Sequence, residues 1–155
     1  MAFRQSLGSP AVPCVAIGDA VLTGQKIGEA DGFVSVPVHA PISGKVVAVG
    51  RFPHPLGGEQ PAVVIEGDGL DRWHDSVRPA GDPGSLSPDD IRRIAREAGL
   101  VGMGGAAFPT HVKMTVPEGK QADTLILNGA ECEPYLTADH RMMLEHSARI
   151  VEGLK

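Results

Sequence analysis

Two stretches of this chain carry the residue types from which chemistry can be built. The first, Gly99 to Met114, reads GLVGMGGAAFPTHVKM. It sets Gly102, Gly104, Gly105 and two alanines ahead of Phe108-Pro109-Thr110, with Lys113 four residues beyond Pro109. A loop with almost no Cβ atoms lets backbone N–H groups approach a bulky anion closely. Proline suits the first position of a helix, where its missing N–H has no intrahelical partner. A helix N-terminus favours negative charge, and a lysine one turn on adds a cation. The second stretch, Asn128 to Arg141, reads NGAECEPYLTADHR; it places the amide of Asn128 and the carboxylates of Glu131 and Glu133 in a loop behind the apolar run Thr124 to Leu127. Amide, carboxylates, lysine and bare backbone suit a polar planar ligand with a phosphate tail, the shape of a flavin or nicotinamide nucleotide.

Other chemistries find less support. The glycine loop does not follow a strand, as a dinucleotide fingerprint does, and it lacks the Gly-Lys-Ser/Thr ending of a phosphate loop. Taken alone, Gly-x-Gly-Gly reads as a tight turn, Lys113 as a surface lysine, and Glu131 and Glu133 as solvated loop carboxylates. The thiolate of Cys132 is disfavoured by the glutamates on either side, so Cys132 reads as a residue of packing or strain relief and not as a nucleophile. His140 and His146 are six apart, off a helical face, and there is no HExxH. Two cysteines 118 positions apart give neither a metal nor a redox spacing, which favours a reduced, cytoplasmic setting.

The elements around these stretches follow from local signals. Ser87-Pro88-Asp89-Asp90 is a helix start, with a capping serine, a proline at the first position and two aspartates at the positive end of the dipole. Ile91, Ile94, Ala95 and Ala98 then share a face, while Arg92, Arg93 and Arg96 form a solvated one, with Arg93 placed to pair with Glu97. Gly99 closes the helix in the left-handed position. A short helix is expected over 108–114 and a turn at 116–119. A buried strand is expected over 124–127. Thr137 should cap a helix through about Glu145, and a last helix from Ser147 should turn Ile150, Val151 and Leu154 inward. One strand and several helices do not complete an α/β layer, so either another chain supplies the missing strands or, the favoured reading, this half is the start of a longer domain.

Residues 1–70 have a different texture. Short valine-rich groups (Val12, Val15, Ile17; Val34, Val36, Val38; Val46, Val47, Val49; Val63, Val64, Ile65) alternate with glycine and aspartate turn signals, as in a small barrel or sandwich. The polar segment 71–86 reads as a linker, with Trp73 covering an apolar edge, and 87–155 as the α/β part. The net charge of −5 argues against a nucleic-acid binder, and no apolar run approaches a membrane span. The N-terminus lacks the features of a signal peptide.

The segment GDAVLTGQKIGEADGFVSVPVHAPISGKVVAV resembles the lipoyl- and biotinyl-carrier hammerhead, a barrel-sandwich hybrid. A carrier projects a lysine from the hairpin between its halves. The matching turn here, Ala30 to Phe33, has none, so the fold is expected without a prosthetic group. That hammerhead, GMGGAAFPTHVKM and LNGAECEPYLTADHRMMLEH, in this order, resemble the RnfC family, the C component of the Rnf electron-transport complex. The second half is more distantly similar to the NADH-binding flavoprotein subunit of respiratory complex I.

The resemblance implies a peripheral subunit on the cytoplasmic face of the bacterial inner membrane, bound to the other Rnf membrane subunits. The complex would pass electrons between NADH and ferredoxin by way of FMN and [4Fe–4S] clusters, coupled to ion translocation. By motif position, Gly102, Gly104, Gly105 and Lys113 approach the flavin phosphate and ribityl chain. Asn128 and Glu131 hydrogen-bond the flavin, while Phe108 and Glu133 contact the nicotinamide nucleotide. Ala130 stands where the complex I protein has an aspartate, and Met103 where the glycine loop has a basic residue. A cluster needs four thiolates and the chain has two cysteines, so the clusters are expected in a C-terminal part beyond this sequence. The resemblance names no catalytic side chain. The contrasting expectation is a non-catalytic docking or assembly module whose glycine loop is structural.

Overall fold

The structure, a computed structural model, describes residues 1–79 and 81–155. The chain forms two compact units, Met1–Thr115 and Val116–Lys155.

Among the described residues the first unit has six strands, β1 (Val12–Pro13), β2 (Ala20–Val21), β3 (Lys26–Glu29), β4 (Val38–His39), β5 (Gly44–Pro53) and β6 (Glu59–Gly67), while Val15, Ile17, Val34 and Val36 of the valine groups lie outside them. They form two antiparallel sheets, ordered β1-β3-β4 and β2-β5-β6. At the start of β5, burial alternates with the strand period: Gly44 and Val46 point in, Lys45 and Val47 out. A register shift between Val46 and Ala48 bends the β5–β6 hairpin. Ile27 and Val38 from one sheet, Ala11 just before it, and Val21, Val46 and Val63 from the other share a single core. The expected hammerhead is therefore present as two small sheets on one core, with no closed barrel among the described residues. Four of the six strands are only two to four residues long, too short to carry a continuous ladder around a barrel.

The N-terminal arm completes that core. The Met1 ammonium donates to the Val63 carbonyl at 2.7 Å, Val63 N–H donates back to Met1 at 2.9 Å, and Phe3 N–H donates to Pro61 at 2.9 Å. These bonds lay the arm along β6 and bury Phe3, the largest fully enclosed side chain. After β6, Ser43 Oγ donates to Asp68 at 2.6 Å and accepts from Arg72 N–H at 3.0 Å. Thr23 exchanges backbone bonds with Arg72 and His74. Trp73, expected to cover an apolar edge, remains 60% exposed: its backbone is held by this polar network, and its ring is not.

The first helix, α1 (Pro88–Glu97), starts as its sequence dictates. Ser87 and Asp90 form a reciprocal capping box with proline in the first turn. It ends in a Schellman motif, with Gly99 at φ +69°, Gly99 N–H donating to Arg96 and Leu100 N–H to Ala95. Ala95 is buried and Ile94 half-buried, while Ile91 stays exposed. The expected Arg93–Glu97 pair does not form. Arg93 pairs with Asp90 at 3.0 Å, and Glu97 turns to Lys26 on β3 at 2.6 Å, a closer cation than its own helix offers. Arg96 likewise leaves the solvated face and donates to the Gly32 carbonyl at 2.9 Å.

The second unit contains α3 (Ala138–Glu145) and α4 (Ser147–Gly153), numbered after the short helix α2 (Thr110–Lys113) of the first. The strand expected over 124–127 is absent, and Leu125 and Ile126 are 75% and 81% exposed. A lone strand has no neighbour to take its backbone hydrogen bonds, and among the described residues none is offered. Of the side chains expected to turn inward from α4, Ile150 is half-buried, whereas Val151 and Leu154 are exposed.

The packing of the first unit can be tested by unfolding, with Trp73, the single tryptophan, as the reporter. A Cβ on Gly99 would lie 2.9 Å from the Pro37 carbonyl at a left-handed φ. Gly99→Ala is thus expected to destabilise the unit by about 1–2 kcal/mol in urea unfolding. Hydrogen bonds from Ser43, Leu70 N–H and Arg72 hold the Asp68 carboxyl down at about 2, against an ordinary 3.8. Its contribution is complete above the ordinary value and is lost as pH falls through about 2. Ser43→Ala should flatten that acid limb.

Candidate functional site

The glycine stretch is a closed loop within the first unit. Val101 and Pro109 form an antiparallel bridge, Gly102 N–H donates to the Phe108 carbonyl at 2.9 Å, and Thr110 N–H donates to Leu100 at 2.9 Å. Gly105 sits at φ +120°, which only glycine adopts freely, and a Cβ at Gly104 or Gly105 would point into open space. A bulky ligand can approach the backbone there without meeting a side chain. Ala107 is left-handed at φ +48°, and its carbonyl accepts from Leu7 N–H at 3.3 Å.

Helix α2 is shorter than the expected 108–114. Pro109 precedes it as the capping residue, with ψ 126°, instead of occupying its first turn. A single turn sums few peptide dipoles, so the pull on an anion falls mainly to Lys113. That side chain is exposed, and its ammonium nitrogen lies against the loop: a Cβ on Gly102 would come within 2.6 Å of it. Phe108 is half-buried at the foot of the loop. A pocket of about 450 Å³ at the loop is lined by Gln5, Ser6 and His39 together with Gly102, Met103 and Gly105. Burial first, and the nearby Lys26 cation second, push the His39 imidazole below its ordinary value. His39 is therefore a neutral wall at physiological pH.

The acidic stretch lies in the second unit. Asn128 Oδ1 accepts from Ala130 N–H at 3.0 Å, a side-chain-stabilised turn. Glu131 Oε1 accepts from His140 N–H at 3.0 Å and so caps α3; Thr137, expected to do so, makes no side-chain cap. Glu133 is exposed, and its carbonyl accepts from Leu136 N–H at 3.3 Å. Cys132, expected in packing, is exposed.

The candidate residues thus fall into two groups: Gly102, Gly104, Gly105, Phe108 and Lys113 in the first unit, and Asn128, Glu131 and Glu133 in the second. Two further residues stand out from the structure. Tyr135 is fully exposed with a left-handed backbone at φ +68°, a conformation a bulky residue holds only under constraint. His111 is 4% exposed and bonded to the Phe33 carbonyl. Neither carries a sequence signal, because both depend on neighbours distant in the chain or on a backbone angle.

Comparison with known proteins bears on both halves. Residues 1–70 match the family model described as the RnfC barrel sandwich hybrid domain, and residues 95–155 match the Nuo51 FMN-binding domain. The C component of the Na(+)-translocating ferredoxin:NAD(+) oxidoreductase complex of Acetobacterium woodii is 52% identical over 149 residues, 96% of this chain and 34% of that protein. The proton-translocating counterpart of Clostridium ljungdahlii is 51% identical over 152 residues, 98% of this chain and 33% of that protein. The C component of the ion-translocating oxidoreductase complex of Pseudomonas aeruginosa is 45% identical over 97% of this chain and 20% of its own length. The chain therefore spans about a third or less of the curated relatives it matches. No helix among the described residues is long and apolar enough to cross a membrane. With both halves matched in order and relatives near 50% identity along nearly its whole length, the chain belongs to the RnfC family, as its N-terminal region.

Proposed function

We propose that this chain forms part of the FMN- and NADH-binding region of RnfC in a membrane-associated complex that transfers electrons between NADH and ferredoxin, coupled to ion translocation. The observation that carries the reading is the Lys113 ammonium set against Gly102, in a loop whose next two glycines leave the space over their Cα atoms open. That arrangement fits a phosphate group: Gly102 closes the loop through its own bond to Phe108, the bare backbone at Gly104 and Gly105 leaves room for the phosphate and ribityl chain, and the lysine supplies charge. Asn128 and Glu131 are assigned to the flavin ring, and Phe108 and Glu133 to the nicotinamide nucleotide. FMN, when bound, supplies the exchange between two-electron and one-electron chemistry, which no side chain here offers. The residues contribute positioning and electrostatics, with no acid, base or nucleophile required.

On this reading the protein sits at the cytoplasmic face, with the other Rnf subunits as partners and the [4Fe–4S] clusters in the remainder of the longer chain. Relatives 52% and 51% identical to this region carry names for different ions, Na(+) and the proton. Ion choice is therefore assigned to parts of the complex outside this region. A docking role for the region is the competing reading, favoured by the internal bonds that already engage Asn128 and Glu131.

FMN titration of the full-length protein, followed by flavin fluorescence quenching, separates the two. Lys113→Ala is expected to raise the FMN dissociation constant about tenfold, the loss of one charge-assisted hydrogen bond of about 1.5 kcal/mol. Unchanged affinity would remove Lys113 from the site, and absence of binding by the unsubstituted protein would favour docking. Independently of any ligand, Glu131→Ala removes the cap on α3. Amide exchange over 138–145 should accelerate about fivefold, matching a cap of about 1 kcal/mol.

A further inference from the structure

Resting on the nucleotide reading above, we propose that His111 is a positioning residue that latches α2 and Lys113 onto the β3–β4 connection of the N-terminal sandwich. The connection covers residues 30–37, the turn from which a carrier domain would present its lysine. Here its carbonyls point into the helical segment instead. The Phe33 carbonyl lies 2.8 Å from His111 Nε2, and the Gly32 carbonyl accepts from the Arg96 guanidinium at 2.9 Å. The Phe33 ring meets the imidazole edge-on, with centroids 5.8 Å apart and planes at 88°.

A carbonyl can only accept, so Nε2 carries a proton and donates to Phe33. Nδ1 is buried and has no hydrogen-bond partner among the described residues. The imidazole is therefore used at one nitrogen only, in a site 4% exposed, a costly way to fill space that an apolar ring would fill as well. What the imidazole adds over such a ring is the directional bond to Phe33, which fixes α2 along its axis. Lys113 lies two residues further on in that single turn, and its ammonium rests on Gly102. The connection itself is held from behind: Ser35, fully buried, donates to the Ser9 carbonyl at 3.0 Å and accepts from Asp31 N–H at 3.0 Å. The latch thus runs from a rigid sheet to a cation on a long, flexible stem.

The test uses the full-length protein with two readouts: amide exchange at Gly102, Thr110 and Lys113 without flavin, and FMN affinity. His111→Phe keeps the ring and loses the donor. It should speed exchange at those amides and weaken FMN about tenfold, while exchange in β6 stays unchanged. His111→Gln, whose amide nitrogen reaches the position of Nε2, should restore both. Wild-type exchange at the loop in a folded His111→Phe variant would overturn the latch, as would faster exchange with unchanged FMN affinity. If His111→Phe does not fold, Arg96→Met removes the adjacent bond to Gly32 and should change both readouts about threefold in the same directions; no change in either would overturn the proposal. If the unsubstituted protein binds no FMN, it is the nucleotide reading that fails. If it binds FMN and His111→Phe binds it equally well, the latch alone fails.

Discussion

A loop made of glycine and alanine cannot hold its own shape. Side chains are what normally restrict a backbone, and between Gly102 and Ala107 there are almost none. Its conformation must be imposed from its ends, and the first unit does this with hydrogen bonds to backbone atoms of the sandwich and the N-terminal arm. Gly99, closely packed against Pro37, and Arg96, bonded to Gly32, fix the entry; Ala107, bonded to Leu7, and His111, bonded to Phe33, fix the exit. The two small sheets that follow the hammerhead pattern therefore serve as an anvil for a loop that comes later in the chain. This explains how the fold can dispense with a carrier lysine at Ala30 to Phe33: the turn that would display one is engaged in holding the helical segment.

The charges divide along the same line. Lys26 is held protonated first by its hydrogen bond to Glu97, and Glu97 is held ionised first by the same bond. The pair joins β3 to the last turn of α1 at 2.6 Å, and Lys26 also pairs with Glu29 at 3.2 Å. With Lys26 engaged and His39 pushed towards its neutral form, the cation that lies on the loop itself is Lys113. On the proposed reading an anion there would meet one lysine over bare backbone instead of a broad basic field, in keeping with a chain of net charge −5.

What is legible in the sequence is local. The serine cap at Ser87, the left-handed Gly99 and the strands holding Val12, Val38, Val46 and Val63 depend on residues within a few positions of one another, and these appear as expected. Expectation and structure part where a distant partner outcompetes a near one. Glu97 takes Lys26 over Arg93, Arg96 takes Gly32 over solvent, and Phe3 enters a core that the valine pattern starts only at Val12. His111 belongs to the same class: nothing in Phe-Pro-Thr-His marks it, because its partner lies 78 residues earlier. The run Thr124 to Leu127 differs for a related reason. Its composition favours a strand, but a strand is a relation between two segments, and among the described residues the second is not there.

The acidic stretch shows why residue type and role come apart. Amides and carboxylates suit a flavin, which makes Asn128 and Glu131 candidate ligand groups, yet both are already engaged by backbone N–H donors. An acceptor oxygen can take more than one hydrogen bond, and each side chain has a second group outside these contacts: the Asn128 amide nitrogen and the Glu131 Oε2. Shaping the loop and meeting a ligand are therefore compatible. The turn at Asn128 and the cap at Glu131 fix the loop first, leaving the remaining polar atoms oriented at little further entropic cost. On that account the two stretches solve the same problem by opposite means. The glycine loop has almost no side chains and borrows its rigidity from the sheets, while the acidic loop uses its own polar side chains to hold itself in place.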